Sequence, residues 1–289
     1  MRHVLLMPTA AVITVTSGPR NAKTDPETGL RYYEWKGRAL PSVSSLRRMA
    51  GLSFQLHQWT ISRVVDRAVN EVDILNTMLS RPARPRERVR DKNVKLEARR
   101  WLRSAATEER DSAAELGTAV HTAAMANVAI IDADEDVRPY LHQYRNWLHD
   151  SGVTVLACER QVFNLDIGYA GSFDLLVRFP NGQVYVVDIK TSRGTYTDHA
   201  LQIVGYALAE FVGEDDVVDP TLTDLLLNAE GMALLHLTAD GWTFQRVKVT
   251  PALYGAFKGL LTFATFMFAN QSIDGLLDGV KQGGSVYTP

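Results

Sequence analysis

The sequence predicts an α/β protein: a mixed, mainly antiparallel central sheet flanked by helices, with a helical N-terminal region ahead of it. Three observations carry this. Apolar residues recur at helical spacing from about Ser42 to Leu79 and again from about Asp111 to Asp150, the period drops to two in three stretches between Val153 and Thr191, and helical spacing returns at Asp198. The chain has 289 residues, 46% of them hydrophobic and 22% charged, a composition that excludes a disordered or collagen-like protein. At roughly 150 residues per domain, it makes one large domain or two small ones.

Each element has its own signal. Tyr32, Tyr33 and Trp35 alternate with polar positions, so residues 1–40 read as an extended or hairpin lead-in with a short strand. After Pro41-Ser42-Val43-Ser44-Ser45, the spacing of Leu46, Met49, Leu52, Leu56, Trp59, Val64 and Val65 predicts two helices from about Ser42 to Leu79. Pro82, Pro85 and alternating arginines make 81–90 a loop or arm, with a helix resuming near Lys92. A second part begins at about Asp111, and the division drawn is 1–110 against 111–289. Leu116, Val120 and Ala124, four apart, mark a helix over Asp111–Val128, and another covers Asp134–Asp150. Val153–Phe163, Gly168–Phe179 and Gln183–Thr191 are rich in β-branched and aromatic residues and read as consecutive strands. Asp198–Val212 is a helix, Met232–Thr238 and Trp242–Val249 form a hairpin around Asp240-Gly241, and Pro251 opens a final helix.

Charge is nearly balanced overall, with 31 Lys plus Arg against 33 Asp plus Glu, so net charge alone points to no nucleic-acid partner. Its distribution is uneven. Residues 81–103 hold ten basic and three acidic side chains, a local +7 that leaves −9 on the rest. Arg84, Arg86, Arg88 and Arg90 are therefore candidate phosphate ligands, since guanidinium groups bind phosphate bidentately and release counterions. Trp59 and Trp101 are expected to be buried rather than stacked on bases. The single cysteine, Cys158, excludes an internal disulfide framework and any cluster held by several thiolates, and a reducing cytoplasm fits best. No apolar run reaches the roughly 18 residues of a membrane span. Pro8 breaks the apolar stretch Val4–Val15, and no disulfide pattern follows, which speaks against a signal peptide.

The most informative stretch is Gly171-Ser-Phe-Asp174 followed by Asp188-Ile189-Lys190. On a strand, Asp188 and Lys190 share a face, and Val187 and Ile189 take the other. Pro180-Asn181-Gly182 suits a three-residue loop that pairs Phe179 with Gln183 and needs positive φ at Gly182. Paired numbers then sum to 362, which sets Asp174 opposite Asp188. Two carboxylates so placed repel one another, and a hard divalent cation such as Mg²⁺ or Mn²⁺ offsets that repulsion while leaving positions for phosphate oxygens. The adjacent lysine can stabilise charge on a transferring phosphoryl group.

These residues resemble the PD-(D/E)XK nucleases, in particular the RecB-like branch that includes phage and mitochondrial exonucleases. The similarity runs from about Asp111 to Ala209. Arg110-Asp-Ser-Ala-Ala-Glu-Leu-Gly-Thr-Ala-Val-His121 resembles the family's helix with a metal-binding histidine, and Glu159 an acidic position on the first strand. Asp174, Asp188 and Lys190 take the places of the motif, and Gln202-Ile-Val-Gly-Tyr206 resembles the Gln-x-x-x-Tyr element on the following helix. Leu40-Pro-Ser-Val-Ser looks like the opening of phage-encoded members. The resemblance implies a Mg²⁺- or Mn²⁺-dependent DNA exonuclease without an iron-sulfur cluster. His121, Asp174, Asp188 and the Ile189 carbonyl would hold the ion, Lys190 would assist the attacking water, and Gln202 and Tyr206 would contact DNA or the lysine. The alternatives are a non-catalytic DNA-binding scaffold on the same fold and a structure-selective endonuclease. His199 and His236 show no partner pattern and read as structural.

Overall fold

The computed structural model describes residues 22–26, 29–49, 54–80 and 88–269. The lead-in is a small antiparallel sheet of β1 (Lys23–Thr24), β2 (Arg31–Trp35) and β3 (Arg38–Pro41). The turn between β2 and β3 places both Lys36 (φ 46°) and Gly37 (φ 76°) in the left-handed region, the twist a tight hairpin requires. Three helices follow where two were expected: α1 (Val43–Met49), α2 (Phe54–Asn70) and α3 (Val72–Leu79). The break between the last two falls at Glu71 (φ −115°, ψ 33°), which carries no sequence signal for a stop.

Helix α4 runs from Arg88 to Met125, 38 residues without interruption across 110/111. It starts four residues earlier than Lys92, so Arg88 and Arg90 belong to its first turns rather than to a loop, while Arg84 and Arg86 lie outside the described residues. Nothing between Lys92 and Leu116 is a Gly or Pro that would stop a helix. A single 3₁₀ turn at Ile130–Asp132 lies between the two helices, and α5 covers Arg138–Ser151, starting four residues after the expected Asp134 and closed by Gly152 at φ 63°.

The main sheet has seven strands in the order β10-β9-β6-β5-β4-β7-β8. They are β4 (Thr154–Asn164), β5 (Tyr169–Arg178), β6 (Val184–Lys190), β7 (Phe211–Glu214), β8 (Val217–Val218), β9 (Gly231–Leu237) and β10 (Trp242–Val247). Only the β6–β9 pair is parallel, its crossover made by α6 (Thr197–Ala207), β7, β8 and α7 (Pro220–Leu227). Helix α6 ends five residues short of Val212, and Phe211 and Val212 pair with Phe163 and Val162 of β4 instead. Asn164 sets that end, donating from Nδ2 to the Leu208 carbonyl (2.6 Å). Pro251 opens α8 (Pro251–Ala269) as expected.

Alternation along β6 separates two cores. Val184 and Val186 pack with α1, α6 and α8, whereas Tyr185, Val187 and Ile189 pack with the C-terminal part of α4 and with α5. A third cluster of Tyr33, Trp35 and Phe163 seats the small sheet on the large one, Trp35 lying 4.6 Å from Phe163 and 4.7 Å from Phe211 between ring centroids. Among the described residues, no helix is long and apolar enough to cross a membrane.

Candidate active site

The loop that joins β5 to β6 decides what faces what. Gly182 has φ 87°, its amide donates to the Phe179 carbonyl (2.9 Å), and the Phe179 amide donates to the Gln183 carbonyl (2.8 Å). This is the three-residue loop, and the pairs Arg178↔Val184 through Leu175↔Val187 keep the register that sums to 362. The ladder opens one step before Asp174 and Asp188. There the Asp174 carboxylate replaces the backbone partner, Oδ2 accepting from the Ile189 amide at 2.6 Å.

Around that opening the expected residues gather. His121, on the last turns of α4, approaches from the α4–α5 side, its Nε2 3.0 Å from the Ile189 carbonyl and its Nδ1 3.6 Å from Asp174 Oδ2. From the opposite face come Gln202 and Tyr206 of α6. Gln202 Nε2 donates to Asp188 Oδ1 (3.0 Å) and to the Tyr206 hydroxyl (2.7 Å), and Gln202 Oε1 accepts from Lys190 Nζ (3.1 Å). Lys190 Nζ also forms an ion pair with Asp188 Oδ2. Asp188 is fully buried, and the ammonium and the two α6 groups are its polar partners in a dry environment.

Electrostatics follow from burial. Desolvation pushes the Asp174 carboxyl up to about 6; the nearby Asp188 adds to the rise and the imidazole of His121 opposes it. Burial, then the charges of Asp188 and Asp174, push the Tyr206 phenol well above its ordinary range, so it remains a protonated donor. Tyr33, which lines the same cleft, is pushed up to about 12, mainly by burial.

Glu159 lines the cleft as well, in an unexpected backbone state: φ 46° in the middle of β4, between the pairs Cys158↔Leu175 and Arg160↔Phe173. A non-glycine residue held there stores strain, which packed sites tolerate. Its neighbour in sequence, Arg160, binds Glu214 (2.9 Å).

Two glycines let the elements close in. A Cβ on Gly117 of α4 would stand 3.1 Å from Thr191 Oγ1, and one on Gly171 of β5 would stand 3.1 Å from both Tyr206 Cε1 and Val43 Cγ2. The resulting cleft is about 670 Å³. Arg31 and Thr118 also line it without any signal in the sequence. Arg31 is far from the motif along the chain and arrives because Ser42, next to β3, bridges to Ala170 of β5. His199 caps α6 by accepting from the Tyr196 amide and also lines the cleft, and His236 Nε2 is 2.6 Å from the Ser192 carbonyl. Trp59 and Trp101 are half-buried, the Arg67 guanidinium lying over the Trp101 ring. The side chains of Arg84, Arg86, Arg88 and Arg90 lie outside the described residues.

Among the described residues, no three His, Cys, Asp or Glu side chains stand close enough as they lie to hold a metal ion, because Asp188 is turned to Lys190. The donor chemistry nevertheless suits a hard divalent cation: two carboxylates, one with a raised pKa, a carbonyl and an imidazole. His121 Nε2 and the Ile189 oxygen stand 3.0 Å apart, at hydrogen-bond distance.

No family model and no curated protein matches the chain. Among solved structures, it aligns with SSO0001 over 45% of its length at 19% identity, with a TM-score of 0.28, and spans 58% of that chain. It also aligns with SPO1766, a protein of unknown function from Silicibacter pomeroyi, over 50% of its length at 16% identity, covering 94% of that chain with a TM-score of 0.19.

Proposed function

We propose that the protein is a metal-dependent DNA exonuclease on a PD-(D/E)XK core, of the kind phages use in recombination or replication. One observation carries the reading: Asp174, Asp188 and Lys190 meet in one cleft where the β5–β6 ladder opens, with His121 and Gln202 on either side. Asp174, Asp188, the Ile189 carbonyl and His121 would hold Mg²⁺ or Mn²⁺. When bound, the ion would supply Lewis-acid stabilisation of the phosphoryl oxygens. Gln202 fixes Lys190, whose ammonium faces the charge that develops in the transition state. Tyr206 and Gln202 hold Asp188 in place through its Oδ1. Glu159 lines the same cleft and is assigned to the site on position alone.

Digestion of linear against covalently closed circular DNA, with Mg²⁺ or Mn²⁺, tests this. Linear DNA is consumed and closed circles survive. Asp174→Ala, Asp188→Ala and Lys190→Ala each lower turnover by at least roughly a hundredfold with circular dichroism unchanged. Cleavage of closed circles would make the enzyme an endonuclease, and binding without cleavage would make it a scaffold.

A further inference from the structure

The two oxygens of Asp188 are held differently. Oδ1 accepts from Gln202 Nε2 (3.0 Å) and from the Tyr206 hydroxyl (3.4 Å), both on α6. Oδ2 is buried, accepts no hydrogen bond from any described group, and forms an ion pair with Lys190 Nζ. The two residues are two apart on β6, so their side chains rise from one face and meet across a single intervening residue.

Lys190 has a second partner. Its Nζ donates to Gln202 Oε1 (3.1 Å), and the Gln202 amide is kept from turning over, because its Nε2 is engaged by Asp188 Oδ1 and by the Tyr206 hydroxyl (2.7 Å). Asp174 Oδ2, on the other side of the opening, is taken by the Ile189 amide. Asp188 Oδ2 is therefore the oxygen of Asp188 that a cation can reach, and the ammonium is seated on it. The side chain of Asp188 is only 1% exposed, too deep for that oxygen to do without a positive partner. One carboxylate oxygen does not hold an ammonium and a metal ion together, since two like charges would then meet on one atom.

We propose that Lys190 and a divalent cation compete for Asp188 Oδ2, and that the ammonium, on yielding the oxygen, stays on Gln202 Oε1. The inference rests on the cation reading of the cleft and adds to it that ion binding and the release of Lys190 toward substrate are one linked event. The flexible four-carbon stem of lysine permits the move. Gln202 is then a positioning residue, holding the ammonium in the cleft once the carboxylate has let it go.

Calorimetry of Mn²⁺ binding to the full chain without DNA, for wild type, Lys190→Met, Gln202→Leu and the double variant, tests the exchange. Removing the competitor makes Lys190→Met bind Mn²⁺ at least about tenfold tighter than wild type. Gln202→Leu removes the seat to which the ammonium retreats, so it binds Mn²⁺ severalfold more weakly than wild type, while the same change in the Lys190→Met background has little effect. A lysine that only repels the ion from a distance gives the opposite sign for Gln202→Leu, because a freed ammonium moves away. Thermal unfolding supplies a second readout: in chelator Lys190→Met melts below wild type, and saturating Mn²⁺ raises its midpoint by more than it raises that of wild type. Lys190→Gln carries the same expectations should Lys190→Met fail to fold. Equal Mn²⁺ affinity with and without the lysine, or tighter binding by Gln202→Leu, overturns the exchange and leaves the cation reading standing. An equal loss from Gln202→Leu in both backgrounds overturns the role given to Gln202, and no Mn²⁺ binding by any of the four proteins overturns the exchange and the cation reading together.

Discussion

Asp174 joins sequence to chemistry most directly. Its place beside Asp188 was readable because a strand has period two and because Pro180-Asn181-Gly182 has one comfortable loop geometry. His121 was visible only through the family resemblance, since nothing local says where a helical histidine will point. The left-handed Glu159 was not visible at all, because the surrounding sheet imposes that dihedral. The raised pKa of Asp174 has a thermodynamic consequence. A carboxyl whose folded pKa is about 6, against about 3.8 for an unfolded chain, binds its proton more tightly when folded. In chelator, its contribution to stability is therefore fully present below about pH 3.8 and is lost as pH rises through about 6. Urea unfolding of wild type and Asp174→Asn across that window should differ in slope, wild type losing on the order of 2 kcal/mol more than the variant. Parallel curves would mean that the carboxyl titrates normally.

At the scale of elements, the central strands and α8 were legible to within one or two residues, and the errors fall where tertiary contacts overrule local pattern. Leu208 to Val212 continues an apolar helical spacing, yet Asn164 takes the Leu208 carbonyl and β4 recruits Phe211 and Val212 as a strand. Helix α7 passed unread, although Asp219-Pro220 is a helix start and the Asp219 side chain accepts from the Leu222 amide (2.9 Å). The seating of α6 depends on Gly205, where a Cβ would meet Val43 Cγ2 at 2.6 Å and Cγ1 at 2.8 Å. Tyr169 also donates to the Gly205 carbonyl (2.7 Å), pinning the helix to β5. Gly205→Ala should therefore push α6 from α1, cost about 1–3 kcal/mol in denaturant unfolding, and lower activity by shifting Gln202 and Tyr206. Gly255→Ala on α8, with nothing within 4 Å of its Cβ, is the control and should be neutral or slightly stabilising.

Across the whole molecule, helix α4 joins the basic segment to the cleft. The segregation of +7 into residues 81–103 was plain in the sequence, but the unbroken helix that joins much of it to the site was not, because a division at 110/111 hid its continuity. Arg90 and Arg110, the latter lining the cleft, are twenty residues apart on one helix, about 30 Å at 1.5 Å per residue. That distance is roughly nine steps of a nucleic-acid strand at 3.4 Å each. Contacts made by the arm should therefore add affinity without reading sequence, and only on DNA long enough to span the gap. Replacing Arg84, Arg86, Arg88 and Arg90 with glutamine should weaken binding of long DNA of any sequence and flatten the dependence of log affinity on log salt by about 0.7 to 0.9 per lost contact. Oligonucleotides well below that length, seated in the cleft, should bind wild type and variant alike. An unchanged slope on long DNA would reduce the arm to surface charge, and a loss that depends on sequence would make it a reader of bases.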